Sequence, residues 1–199
     1  MPDKAKNPQS KGKRELLLEA AAAKFREYGF EKTSIAQIVR KAGVAHGTFY
    51  LYFESKAQLV PALAQSIIDE MLGRLQAYPT ESLRTAERLV EALIRVTYAV
   101  TEEQQELISF CYSGMAYYQW ASQWEAIYAP YYTWLEEQLY HLRRSGDLES
   151  ESDLTYTANF VVGVLEQGAE NFFVFGADPQ HLERSKHELK RFLLRALES

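Results

Sequence analysis

Residues 34–56 read SIAQIVRKAGVAHGTFYLYFESK, and this stretch decides the fold. Ser34, with Gln37 three residues on, forms the capping-box pattern that opens a helix. Ile35, Ile38 and Val39 give that helix an apolar face, and Gly43 stops it. The segment Val44–Leu51 that follows has room for only about two helical turns. Two short helices joined by a glycine-containing turn make a helix-turn-helix, whose second member fits the ~12 Å wide major groove of B-DNA. Ile35, Ile38, Val44 and Phe49 can pin the pair together. His46, Gly47 and Thr48 then fall at the exposed N-terminal end of the second helix, where base edges are reached. Gly47 costs ~1 kcal/mol relative to Ala inside a helix, and close approach of backbone to DNA is one reason to keep it.

Working outward, Leu17, Leu18, Ala21 and Phe25 give a helix from about Lys11 to Tyr28, with Gly29 where a left-handed cap belongs. Ser55-Lys56-Ala57-Gln58 is a second capping-box pattern, opening a fourth helix that runs through Leu59, Leu63, Ile67 and Leu75 to Pro79. Further helices are predicted over Glu81–Thr101, Glu103–Trp120, Gln123–Arg144, Asp153–Phe175 and Pro179–Leu197, with Pro130 kinking or splitting its own. Strand-like alternation is absent. The chain reads as all-α, about nine helices. Its expected organisation is a flexible basic arm over 1–10, a helix-turn-helix domain over 11–56, a connecting helix over 57–79, and an effector-binding and dimerisation domain over 80–199.

The 199 residues are 47% hydrophobic and 25% charged, which excludes disordered and low-complexity classes. One cysteine, Cys111, forms no internal disulfide and points to a reducing compartment. No apolar run reaches the ~18 residues of a membrane span, and a soluble, cytoplasmic protein with no membrane partner is expected. The net charge of −5 divides unevenly: residues 1–56 carry +5 and the remainder −10. That asymmetry suits a basic nucleic-acid module on an acidic partner domain. Helix N-termini favour anions, so Thr33 with Ser34, and Ser55 with Lys56, stand as phosphate clamps. Tyr50 and Tyr52 can add hydroxyl contacts, and Lys4, Lys6, Lys11, Lys13 and Arg14 a basic arm.

The pattern Phe25…Tyr28-Gly29-Phe30…Thr33-Ser34-Ile35…Ile38-Val39…Ala42-Gly43-Val44…Gly47-Thr48-Phe49-Tyr50…Tyr52-Phe53…Ser55-Lys56…Leu59 resembles the N-terminal domain of the TetR family of bacterial transcriptional regulators. The likeness covers about residues 14–60. It implies a homodimer whose two helix-turn-helix units bind an inverted-repeat, double-stranded DNA operator, and a divergent C-terminal domain that binds a small molecule and releases the DNA. Carried over by position, Thr33 and Ser34 resemble phosphate contacts. His46, Gly47 and Thr48 match base-reading positions, and Tyr50, Tyr52 and Lys56 match backbone contacts. Ala45 stands where the family often has Ser, and Lys24 where it is often apolar.

Twelve aromatics crowd residues 98–140, and Trp120, Trp124, Tyr128, Tyr131 and Leu135 recur on one helical face. Trp and Tyr carry polar handles that a sealed core must satisfy, so an effector pocket is expected, lined by Tyr98, Phe110, Trp124, Tyr128, Glu166 and Glu170. Aromatic faces with an inward carboxylate favour a flat or cationic organic effector; an acyl chain or acyl-CoA is the alternative. Asp153–Phe175 is apolar nearly all round and needs cover on every side. A second subunit would supply it through Phe160, Val164, Gly168, Phe172, Leu189, Phe192 and Leu193. No cofactor or metal is called for, and the sequence offers no catalytic constellation. A DNA-binding architectural protein without an effector is the rival reading.

Overall fold

The structure, a computed structural model, describes residues 12–112, 114–148 and 151–198, with side chains described for all of these except 114–122 and 198. The described residues form nine α-helices joined by turns and short 3₁₀ segments, with no strand among them. No helix among them is long and apolar enough to cross a membrane. The chain divides into two compact units, with the boundary after Leu63. The proposed basic arm at Lys4, Lys6 and Lys11 lies outside the described residues, as do the side chains of Tyr117, Tyr118 and Trp120.

The N-terminal unit holds α1 (Lys13–Lys32), α2 (Ile35–Ala42) and α3 (His46–Tyr50). Leu17, Leu18, Ala21 and Phe25 are buried, on the face their spacing predicts. Gly29 takes a left-handed φ of 77°, but it kinks α1 rather than ending it: helix resumes to Lys32. The carbonyls exposed by the kink find partners on other elements. Thr33 Oγ1 donates to the Gly29 carbonyl at 2.8 Å, with the Lys24 carbonyl 3.0 Å away. The Lys56 ammonium donates to the carbonyls of Phe30 (2.7 Å), Thr33 (2.8 Å) and Glu31 (3.4 Å), and sits 4.3 Å above the Phe30 ring. An ammonium has three N–H groups, and all three are engaged. Positive charge is also favoured at a helix C-terminus.

The α2 capping box forms as expected. Ser34 Oγ accepts from the Gln37 N–H at 3.2 Å and Gln37 Oε1 accepts from the Ser34 N–H at 2.7 Å. Gly43, at φ 67°, ends the helix. The second box does not form. Ser55 makes no side-chain cap, because residues 56–58 turn as 3₁₀; Gln58 reaches the Glu54 N–H instead, at 2.9 Å. Lys24 fits its less usual place by tucking its stem against α1 and pairing with Glu27 at 2.7 Å.

Helix α4 (Leu59–Gln76) carries the chain across the boundary. Helix α5 (Ala86–Glu103) starts five residues later than Glu81, because Thr85 caps it: its Oγ1 accepts from the Arg88 N–H at 3.3 Å. The expected break at Pro130 is absent. Helices α6 (Gln105–Tyr112) and α7 (Gly114–Ser145) instead meet near residue 113, and α7 continues through Pro130. Proline deprives the carbonyl four residues back of its donor; Pro130 and Ala126 both face outward, where water can replace it. Helices α8 (Leu154–Phe173) and α9 (Leu182–Glu198) complete the second unit. Helix α5 packs on α8 and α9, and α7 on α8. A Cβ on Gly168 would stand 2.8 Å from Tyr98 Oη and 3.1 Å from Leu189, so this glycine allows α8 to approach α5 and α9 within the subunit.

The Lys56 clamp generates the first prediction. Charged hydrogen bonds contribute about 1.5–3 kcal/mol, so Lys56→Met should lower the unfolding free energy in urea by roughly 2 kcal/mol. The salt dependence of DNA binding should not change. A flattened salt slope with unaltered stability would return Lys56 to the role of phosphate contact.

Candidate nucleic-acid interface and effector cavity

Helix α3 has five residues, and one of them, Phe49, is fully buried. Its ring meets Phe53 at 5.6 Å and Tyr50 edge-on at 5.3 Å. With that side anchored, His46 and Gly47 stand exposed and Thr48 half-buried. The His46 ring lies 5.6 Å from that of Tyr50. Tyr50 and Tyr52 are exposed, and so is Ser34, although its hydroxyl is engaged in the α2 cap. These residues keep a surface that a nucleic acid can touch.

Of the two expected phosphate contacts beside them, Thr33 keeps no such surface, and Lys56 keeps only part of its own. Thr33 is 1% exposed, and its N–H is spent on the Phe30 carbonyl at 3.2 Å as its hydroxyl is on Gly29. Lys56 is committed to three carbonyls. Both were placed by their position at a helix start, yet each faces the kinked end of α1. The sequence reading also passed over Leu51, which is 79% exposed between the two tyrosines. An apolar residue with no helical partner position, beside two contact candidates, was the available signal.

In the C-terminal unit, a cavity of about 220 Å³ opens among α4 to α8. Ile67, Ile68 and Met71 of α4, Thr101 of α5, and Ile108, Cys111 and Tyr112 of α6 line it, with Trp124, Tyr128, Glu166 and Glu170 opposite. Four of the six expected effector residues are therefore brought together. Tyr98 and Phe110 are not on this wall. Tyr98 turns toward α8 and α9, its ring 6.3 Å from Phe173 and 5.3 Å from the Lys186 ammonium. Phe110 sits off the stripe of Ile108, Cys111 and Tyr112 that α6 presents. Tyr112 was missed as a lining residue because nothing in its spacing links it to α8.

Two tyrosine–carboxyl pairs dominate the cavity's polarity. Tyr128 Oη donates to Glu166 Oε1 at 2.9 Å, and Tyr112 Oη lies 3.0 and 2.9 Å from the two oxygens of Glu170. Burial raises the Glu166 carboxyl to about 8; the Tyr128 hydrogen bond opposes that rise and the Glu170 charge adds to it. Burial also raises Glu170, against the pull of Tyr112. Burial pushes the Cys111 thiol up to about 12, which leaves it without thiolate reactivity at neutral pH. Trp124 Nε1 is buried with no acceptor among the described residues.

The α8–α9 surface carries the expected interface residues unevenly. Phe160 is 68% and Phe192 58% exposed, and with Tyr156, Val164 and Ala196 they line an apolar groove. Phe172 is half-buried. Leu193, 1% exposed, belongs to the subunit's own core, and Gly168 and Leu189 face each other inside it.

Residues 17–63 match the family model for bacterial regulatory proteins of the tetR family, and residues 90–197 that for the tetracyclin repressor-like C-terminal domain. The chain is 37% identical to the uncharacterized HTH-type transcriptional regulator YvdT of Bacillus subtilis over 193 residues, 95% of this chain and 97% of that one. Among solved structures it is similar to the fatty acid degradation regulator FadR from Bacillus halodurans, with a TM-score of 0.71 at 22% identity, over 94% and 97% of the two chains. It is also similar to the transcriptional regulator FadR from Bacillus subtilis in complex with stearoyl-CoA, with a TM-score of 0.63 at 18% identity, over 92% and 97%. Matched over both of its units, the chain belongs to the TetR family of bacterial transcriptional regulators.

Proposed function

We propose that this regulator is a repressor that binds an inverted-repeat operator as a homodimer and leaves it when a small organic effector fills the C-terminal cavity. Gly47 carries the DNA half of this reading. It is exposed, its φ is not left-handed, and a Cβ placed on it would meet nothing within 4 Å. Nothing among the described residues asks for glycine there, and glycine costs ~1 kcal/mol of helix stability relative to Ala. A partner pressed against the backbone supplies the missing reason. His46, Thr48 and Tyr50 flank that point, with Ser34, Tyr52 and Leu51 beside them as contacts to the DNA backbone and sugars.

The dimer reading rests on Phe160 and Phe192, large apolar side chains on neighbouring helices that the subunit leaves uncovered. Two-fold pairing through them would present two recognition helices for half-sites ~34 Å apart.

The effector reading rests on the partly open cavity. A ~150 Å³ void holds benzene, so about 220 Å³ suits a molecule of one or two rings. The stearoyl-CoA held by the Bacillus subtilis FadR raises acyl-CoA as a second candidate. Among the described residues no Lys or Arg lines this cavity to meet phosphates, whereas two carboxyl groups line it and would repel them, which favours the compact molecule. A concave cavity with polar groups in its wall also favours a ligand-responsive regulator over an architectural DNA binder. The cavity wall includes α4, the helix that also carries the chain into the N-terminal unit, and this is the route by which occupancy would act on DNA binding.

Selection from a random DNA pool tests the whole reading: an inverted repeat should emerge, and recovery of no common sequence would overturn it. Gly47→Ala should raise stability by up to ~1 kcal/mol while weakening binding to the selected operator at least tenfold, about 1.4 kcal/mol. Unchanged affinity in a gel-shift titration would remove Gly47 from the interface. Phe160→Glu combined with Phe192→Glu should give monomers in sedimentation and, by loss of bivalent engagement, cost on the order of 10²-fold or more in operator affinity. A double variant that remains dimeric would place the subunit contact elsewhere.

A further inference from the structure

Glu166 and Glu170 stand four residues apart on α8, so their Cβ atoms are ~5–6 Å from each other, and both carboxyl groups meet the same cavity. We propose that this cavity takes up a compact organic cation in exchange for a proton, the positive charge settling between Glu166 and Glu170 as one carboxyl gives its proton to water. This names the ligand class of the cavity and rests on the effector reading above.

Around the pair, helix α4 offers only Ala64, Ile67, Ile68 and Met71, and α5 only Thr101. Helix α6 brings the titratable Cys111 and Tyr112, and α7 brings Trp124 and Tyr128 with Tyr131 and Tyr132 behind. None of these groups carries positive charge at any pH, and among the described residues no basic side chain lines the cavity. Each carboxyl has one tyrosine hydroxyl as its donor. An ionised carboxylate enclosed without a cation is costly, and the group keeps its proton instead. Burial accordingly holds Glu166 near 8, so the empty cavity rests with this carboxyl neutral at pH 7.

A cation reverses that balance. The carboxyl O–H bond breaks, the proton leaves to solvent, and the carboxylate pairs with the bound charge; one proton goes out for each cation in. Trp124, Tyr112 and Tyr128 add aromatic faces that attract a cation. The buried indole N–H of Trp124 remains as a donor that the described chain leaves unsatisfied, open to a heteroatom of the ligand. A neutral effector would behave differently, accepting a hydrogen bond from the protonated carboxyl and releasing nothing.

Because the free carboxyl must ionise, the apparent Kd for a permanently charged ligand should rise tenfold for each pH unit below about 8. It should level off above that. Benzyltrimethylammonium, a one-ring quaternary cation, and neopentylbenzene, its uncharged isostere, probe this on the full-length chain. Isothermal titration from pH 6.5 to 8.5, repeated in buffers of different ionisation heat, should show the cation binding with that slope, releasing about one proton at pH 6.5 and progressively less as the pH passes 8. The isostere should bind more weakly and without a slope. Glu166→Gln, which retains an acceptor for Tyr128, should abolish the slope and weaken the cation at least tenfold at pH 8.5. The proton count on the unmodified chain stands even if that variant fails to fold. Cation binding that is independent of pH, or a neutral isostere that binds as tightly, would overturn the exchange and leave the effector reading in place. Failure of both probes to bind or to release operator DNA would bring down the effector reading and the exchange with it.

Discussion

A helix of five residues has no stability of its own, since forming the first turn fixes several dihedrals for a single hydrogen bond. Everything the N-terminal unit presents to DNA therefore depends on the burial of Phe49, the one fully buried side chain on α3. Around it the neighbouring helices close their own ends. Ser34 and Gln37 cap α2 reciprocally, Gly43 turns the chain, and the Lys56 ammonium gathers the carbonyls at the end of α1. Labour is thus divided among residues that look alike in sequence. Thr33 and Lys56 hold the frame, while His46, Gly47 and Tyr50 have no structural duty that explains their identity.

The C-terminal unit obeys a different constraint. Its carboxyl groups are set where charge is expensive, and the tyrosines that face them supply hydrogen bonds without supplying charge. Burial therefore keeps Glu166 neutral at pH 7, in a wall that is apolar apart from Thr101, Trp124 and the two tyrosine–carboxyl pairs. Burial makes the cavity hospitable to an uncharged state and, by the same energy, gives a cation something to displace. Cys111 shares that wall, and there burial alone suffices to keep a thiol unreactive.

The sequence carried the all-helical architecture and α2–α3 almost to the residue, because a capping box and a left-handed glycine are local signals. It carried Trp124, Tyr128, Glu166 and Glu170 as one site, because aromatic spacing on α7 and carboxyls on an apolar helix both stand out. It misplaced Thr33, Lys56 and Tyr98 for a common reason. Each choice between facing outward and facing a neighbour is settled by contacts far along the chain: Lys56 with Phe30, Tyr98 with Phe173 and Lys186. The α6–α7 break, expected between Trp120 and Gln123, falls near residue 113 instead, and Pro130 does not break α7 because an outward-facing carbonyl lets the helix pass it.

Helix α4 shows how the two constraints can meet. Ile67, Ile68 and Met71 face the cavity through apolar side chains alone, and such contact is non-directional and yields to a change of shape. One turn further on, Arg74 is held by Glu70 and by both oxygens of Glu103, and Gln104 ties Glu70 in turn at 3.1 Å. Directional, charge-assisted bonds of that kind resist sliding far more than packed methyl groups do. The helix is therefore tied by charge-assisted bonds at its C-terminal end and, along the cavity, by apolar packing with a 3.4 Å hydrogen bond from the Gln65 amide to the Ile127 carbonyl. On the proposed effector reading, a ligand that fills the space beside Ile67 would press on the more weakly held stretch of α4. Typical coupling between two ligands on one protein is about 1–3 kcal/mol, which asks for no more than a modest change in how well α4 packs when the cavity is full.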